Sequence, residues 1–196
     1  MDATRILNFI SLYRLGGIGK CFKLVRNKNM SRLPTPIIRF SSGSRPLEML
    51  ICGGKEKRDY PWTDRFIGDW PLPTWQRGLV WTTAQKVAFI ESVFIGYDLG
   101  SVMINSLDWL ENNTSRPMSE IVIDGQQRIS ALIGFVGNEF AVNGLYWKDL
   151  TRLEQRTFRE REIGIKTVTC YDEDKLKVVY NHLNFSGVRH QVSEKA

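Results

Sequence analysis

Apolar residues recur along this chain at two spacings, and the change from one to the other marks out its elements. From Thr82 to Ile95, Val87, Ile90 and Phe94 form a stripe at helical spacing. Thr82 and Gln85 stand three apart, as in a capping box, and Gly96 predicts the stop. A second helix is predicted from near Gly125 to Phe135, with Ile129, Leu132, Ile133 and Val136 on one side. Two more polar stretches, 149–161 and Asp172 to Leu183, read as helices. Short apolar runs at 66–72, 100–105, 119–123, 140–147 and 163–170 predict strands, the first ending at Pro71 and Pro73. Ahead of these, Ile6, Phe9, Ile10 and Tyr13 fit a short amphipathic helix over 5–15, ended by Gly16, Gly17 and Gly19. Residues 27–46, rich in Ser, Pro, Arg and Gly, read as a linker or extended arm, and 53–64 as a polar loop. The alternation predicts a small mixed α/β or α+β domain, with its working loops between strands and helices.

Composition narrows the classes. The chain has 196 residues, 42% of them hydrophobic, enough for one domain with a sizeable core. No apolar run approaches the length that crosses a bilayer, so no membrane role is expected. Cys21, Cys52 and Cys170 are far apart, without a Cys-x-x-Cys pair, and His182 and His190 lie near the C-terminus. A disulfide framework and a structural zinc site are both disfavoured, and a reducing, cytoplasmic location is expected.

Charge is unevenly placed. Residues 1–46 hold nine Lys/Arg and one acid, a net +8, while the rest of the chain carries 18 Lys/Arg against 20 Asp/Glu. The basic character therefore belongs to the N-terminal segment. Three readings of it stand open: a phosphate-backbone contact, an organelle transit peptide, or a solvated or partner-bound arm.

The most informative stretch is Asp124-Gly125-Gln126-Gln127-Arg128, which follows the apolar run Ile121-Val122-Ile123 and opens the second helix. The first amides of a helix have no intrahelical acceptor, and the macrodipole places positive charge behind them, so an anion is favoured there. Gly125 keeps a side chain out of an anion's way. Arg128 supplies a planar, permanently charged fork for phosphate oxygens. Gln126 and Gln127 add neutral donors and acceptors. Asp124 repels phosphate unless it holds Mg²⁺ or a water beside it. A plainer reading also fits: Asp124 caps the helix, Gln127 closes a capping box, and Arg128 pairs with a surface acid.

Two further clusters repeat the polar theme. In Pro73-Thr74-Trp75-Gln76-Arg77-Gly78-Leu79-Val80-Trp81, Arg77 can reach a phosphate and the tryptophans can stack on a base. Alternatively both tryptophans anchor the core and Arg77 packs over one of them. In Asn181-His182-Leu183-Asn184-Phe185-Ser186-Gly187, Asn184 begins a polar turn that also reads as an ordinary helix end.

In order and spacing these pieces resemble the N-terminal domain of GmrSD-type restriction enzymes, a branch of the ParB/sulfiredoxin superfamily. That family carries a Pro-x-aromatic-Gln-Arg-x-x-Val-Trp element, a helix, a strand opening on Gly-Ser, then DGQQR and later Leu-Asn-x-x-Gly. The counterparts here are PTWQRGLVW (73–81), LGSVMIN (99–105), IDGQQRISAL (123–132) and LNFSG (183–187). The resemblance covers about residues 65–190, with Trp75 at the aromatic position.

It implies an α+β, small mixed-sheet ParB/sulfiredoxin-like domain with flanking helices over 61–196, behind a basic extension over 1–60. It also implies binding and hydrolysis of a nucleoside triphosphate. Asp124, Gln127 and Arg128 are then the catalytic core, with Gln76, Arg77, Gly125, Gln126 and Asn184 binding the nucleotide and Asp124 as a Mg²⁺ ligand. Sulfiredoxins place a catalytic Cys where Gln126 stands, so their thiolate chemistry is disfavoured. The histidines of an HNH-type nuclease are missing, so cleavage of DNA by this chain alone is doubtful. The expected role is a sensor or regulatory NTPase working with DNA or a separate nuclease, in phage defence or on mobile elements. The alternatives are a non-catalytic nucleic-acid-binding module and a ParB-like DNA nuclease.

Overall fold

The computed structural model describes residues 35–52 and 54–185. The helix expected over 5–15 lies outside them. A four-stranded mixed sheet carries strands β1 (Phe40–Pro46), β4 (Ser101–Asn105), β5 (Val122–Asp124) and β6 (Glu162–Val168), in the order β1-β6-β4-β5. β1 runs antiparallel to β6, β6 parallel to β4, and β4 antiparallel to β5. A separate two-stranded hairpin is made by β2 (Phe66–Ile67) and β3 (Trp70–Pro71). The helices are α1 (Leu47–Ile51), α2 (Thr83–Ile95), α3 (Gln126–Val136), α4 (Arg152–Glu160) and α5 (Glu173–Phe185). The domain is therefore α+β with a mixed sheet. Among the described residues no helix is long and apolar enough to cross a membrane.

Successive residues of a strand face opposite sides of its sheet, and the core divides accordingly. On one face Val102, Val122, Ile163 and Ile165 pack with Leu47, Ile90, Ile129, Leu132, Phe135 and Phe158 from α1 to α4. On the other, Met103, Ile121, Ile123 and Val168 pack with Leu176 of α5. Phe135 is fully enclosed, with Phe94, Phe140, Trp147 and Phe158 around its ring.

Helix boundaries follow the local chemistry read from sequence. Thr82 caps α2 in a capping box with Gln85, and Gly96 ends it at φ 88°. A second box, Thr151 with Glu154, starts α4. The buried stripe of α2 is Ile90 and Val93; Phe94 is partly exposed.

Three expectations need correction. Residues 40–46, read as an extended arm, form β1 and pair along their whole length with β6, and Leu47 and Leu50 behind them are fully buried. The fold thus takes in residues that composition assigned to the N-terminal extension. Small polar residues such as Ser41, Ser42 and Ser44 conceal a strand whose stability comes from ladder bonds to a neighbour. The run 66–72 is two short strands, because Gly68 at φ 56° turns the chain back. Residues 140–147 make a tight turn: Asn143 and Gly144 both take positive φ, and pairing stops after the single Val142–Leu145 bridge.

Candidate functional site

β5 delivers the chain to the site. Opposite it, Met103 faces Asp124 and Ile104 faces Val122, so Ile123 is an extra residue in the ladder. Such a bulge re-aims the strand end. Gly125 then takes φ 97° as the N-cap of α3, with no side-chain cap. A Cβ there would lie 2.9 Å from Val102 Cγ2 and 3.2 Å from its Cα, so both conformation and space require glycine. The plain capping reading of Asp124 is set aside: this carboxylate ends β5, with its side chain 39% exposed. Intrahelical bonding begins with Ile129 N–H donating to Gly125 O at 3.1 Å. The amides of Gln126, Gln127 and Arg128 precede it and form the positive opening of α3.

Arg128 lies along β4. Its Nη1 donates to Ser101 O at 3.1 Å and stands 3.8 Å from Asp124 Oδ2, a loose pair. Gly100, at φ 72°, makes room for its guanidinium, since a Cβ there would come within 3.4 Å of Nη2.

The 73–81 loop is held from both sides. Arg65 Nη1 donates to the carbonyls of Pro73, Thr74 and Gln76, each at 2.8 Å. Gln127 Oε1 accepts from the amides of Val80 and Trp81, both at 3.1 Å, and its Nε2 donates to Gly78 O at 3.3 Å. Gln126 Nε2 donates to Arg77 O at 2.9 Å. Both glutamines are buried. Gln127, expected among the catalytic groups, has both ends of its amide engaged with loop backbone.

Arg77 is fixed only through its backbone, whose N–H donates to Tyr180 Oη at 3.2 Å. Its guanidinium is exposed and makes no hydrogen bond, ion pair or ring contact among the described residues, so it does not pack over a tryptophan. The tryptophans are packing groups: Trp75 meets Tyr180 edge-on at 5.2 Å and Trp81 meets Phe89 at 5.6 Å. Gln76 is 4% exposed, and its Oε1 is buried without a hydrogen-bond partner. Asn184, on the last turn of α5, donates to Tyr180 O at 3.0 Å. Ser186 and Gly187 of the same motif lie outside the described residues.

All eight residues singled out from sequence line one cavity of about 150 Å³, joined by Trp81 and Ile123. Three segments far apart in the chain thus meet at the opening of α3. The cavity carries two guanidiniums, from Arg77 and Arg128, against one carboxylate, Asp124. Among the described residues no group of three His, Cys, Asp or Glu is placed to hold a metal. A lone carboxylate fits Mg²⁺ only as it is usually carried, by one or two carboxylates together with substrate phosphates. Sequence reasoning missed Arg65 and Tyr180. The spacing of Tyr180 and Asn184, four apart on one helix face, would have found the second. Nothing in the spacing of Arg65 announces its three carbonyl partners.

Fold and site together define an α+β domain with a polar, guanidinium-bearing pocket at a strand–glycine–helix junction. Residues 62–195 match the family model of the GmrSD restriction endonuclease N-terminal domain, and the chain belongs to that family. Membership ties it to restriction systems and so to defence against phage. No curated protein and no solved structure gives a significant match.

Proposed function

We propose that this domain binds a nucleoside triphosphate with its phosphates at the opening of α3 and hydrolyses it, so regulating DNA binding or a partner nuclease within a restriction system. The observation that carries this reading is the convergence of Gln76, Arg77, Asp124, Gly125, Arg128 and Asn184 on one cavity at the first amides of α3, which precede its intrahelical bonds. Phosphate oxygens are met by those amides and by Arg128, whose position is set by Ser101 O and Gly100. Among the described residues the Arg77 guanidinium has no partner to leave when an anion arrives. Asp124, beside Arg128, accepts a proton or orients a water. It is also the residue that would hold Mg²⁺ brought in with the phosphates, and that ion would neutralise charge on the leaving group. Gln126 and Gln127 keep the loop closed over the site. An engaged amide cannot turn to orient a water without releasing Val80 or Trp81.

The test is phosphate release from GTP, ATP and CTP with Mg²⁺. Arg128→Ala is expected to weaken nucleotide affinity by roughly 10- to 100-fold, the worth of charge-assisted hydrogen bonds. Asp124→Ala is expected to abolish turnover with less effect on binding. Equal turnover in wild type and both variants removes the proposal.

A DNA contact is supported by the basic N-terminal segment, whose seven Lys/Arg in residues 1–34 face one acid in the same stretch. Affinity for DNA should fall steeply with salt and be lost on deleting residues 1–34. Affinity that survives the deletion assigns DNA binding elsewhere.

A further inference from the structure

A volume of about 150 Å³ is smaller than the roughly 300–1,000 Å³ of sites that enclose a whole small ligand. The cavity at α3 therefore accounts for the phosphates and not for the rest of a nucleotide. A second cavity, of about 320 Å³, shares Arg77 and Gln126 with it as lining residues. Its lining is mixed. Phe66, Ile67, Leu72 and Leu79 stand beside the polar side chains of Asp64, Arg65, Arg77 and Gln126. Apolar side chains for a base, with hydrogen-bonding groups for its edge and for a sugar, suit a nucleoside, as a helix opening with arginines suits phosphate.

One loop contributes to both cavities. Gly78 and Leu79 line the second cavity, Gln76 and Trp81 the first, and Arg77 both. Of the two shared residues, Gln126 is buried and bonded to Arg77 O, so it is a fixed post. The Arg77 side chain is exposed and pairs with no group among the described residues, so it can turn toward either cavity. Arg65 meanwhile ties the loop to the floor of the second cavity through three carbonyls.

Resting on the phosphate-site reading above, we infer that the cavity lined by Asp64, Phe66, Leu72 and Leu79 is the nucleoside subsite, with Arg77 straddling the junction between sugar and phosphates. Its apolar side chains contribute affinity that inorganic phosphate chains cannot use.

The experiment is calorimetric titration of the full chain with each of the four ribonucleoside triphosphates and with inorganic tripolyphosphate, in Mg²⁺. Leu79 is more than half exposed, so Leu79→Gln should fold normally, and circular dichroism checks that it does. In this variant nucleoside triphosphate affinity is expected to drop by about fivefold or more, from the lost apolar contact, with tripolyphosphate affinity unchanged. Arg128→Ala should weaken both ligands. Nucleoside triphosphate affinity equal to wild type in Leu79→Gln, with Arg128→Ala still weak for both, overturns the nucleoside subsite and leaves the phosphate site standing. Equal weakening of both ligands by Leu79→Gln also overturns it, because the loop would then act as one unit. Indifference of both ligands to Arg128→Ala brings down the phosphate site and the subsite together.

Discussion

At the scale of single residues, the site depends on positions that have no chemistry of their own. Gly125 combines a left-handed backbone with close contact to Val102. Gly125→Ala should cost about 1–3 kcal/mol of stability from backbone strain alone, with further loss from the clash against β4. Urea unfolding measures this; a midpoint equal to wild type would mean the turn relaxes freely. Such a glycine is legible in the sequence from its place between an apolar run and a helical stripe. The orientation of Asp124 is not, because a single bulged residue in β5 sets it and a bulge leaves no mark on composition. Arg128 was legible as a cation at the start of α3, and its rest position over Gly100 was not.

At the scale of elements, α2, α3, α4, α5 and the strands β4 and β6 were readable from periodicity and capping residues, since those signals are local. What stayed hidden is held by long-range partners. β1 exists because β6 accepts it. The loop 73–81 has a fixed shape because Arg65 and Gln127 supply the bonds its backbone lacks. Gln127→Ala removes one side chain and strips two amides, Val80 and Trp81, of their acceptor. If the loop stays closed and dry, each should cost about 1–3 kcal/mol. More readily, the loop opens. Hydrogen exchange at Val80 and Trp81 should then accelerate markedly in the variant while the interior of α3 stays protected. Unchanged exchange at both amides would show that the clasp is dispensable.

At the scale of the whole molecule, one cluster ties the 55–60 segment to Glu120, on the approach to β5 and four residues before Asp124. Tyr60 Oη donates to Glu120 Oε2, and Lys55 Nζ stands 2.5 Å from Glu120 Oε1 and 4.2 Å from the centre of the Trp70 ring. Glu120 itself sits at φ 54°, a conformation that other L residues adopt at some cost. Burial, followed by the hydrogen bond to Glu120 and its charge, pushes the Tyr60 phenol well above its ordinary value. A phenol whose pKa is raised by folding stabilises the fold fully below the unfolded value, about 10. That stability is lost as pH climbs towards the folded value. The urea midpoint of wild type should therefore fall as pH passes about 10, and fall less in Tyr60→Phe. Parallel curves for the two proteins would show that Tyr60 contributes no alkaline sensitivity. Nothing in the sequence links Lys55, Tyr60 and Glu120, because only the finished fold brings them together.

The clasp between Gln127 and the two amides has a further consequence. A glutamate at that position would still accept from both backbone N–H groups, yet it could no longer donate to Gly78 O and would carry a full negative charge to the mouth of the helix. Gln127→Glu thus offers a way to uncouple two properties that the wild-type side chain binds together: the tethering of a neighbouring segment and the electrical neutrality of the doorway it guards.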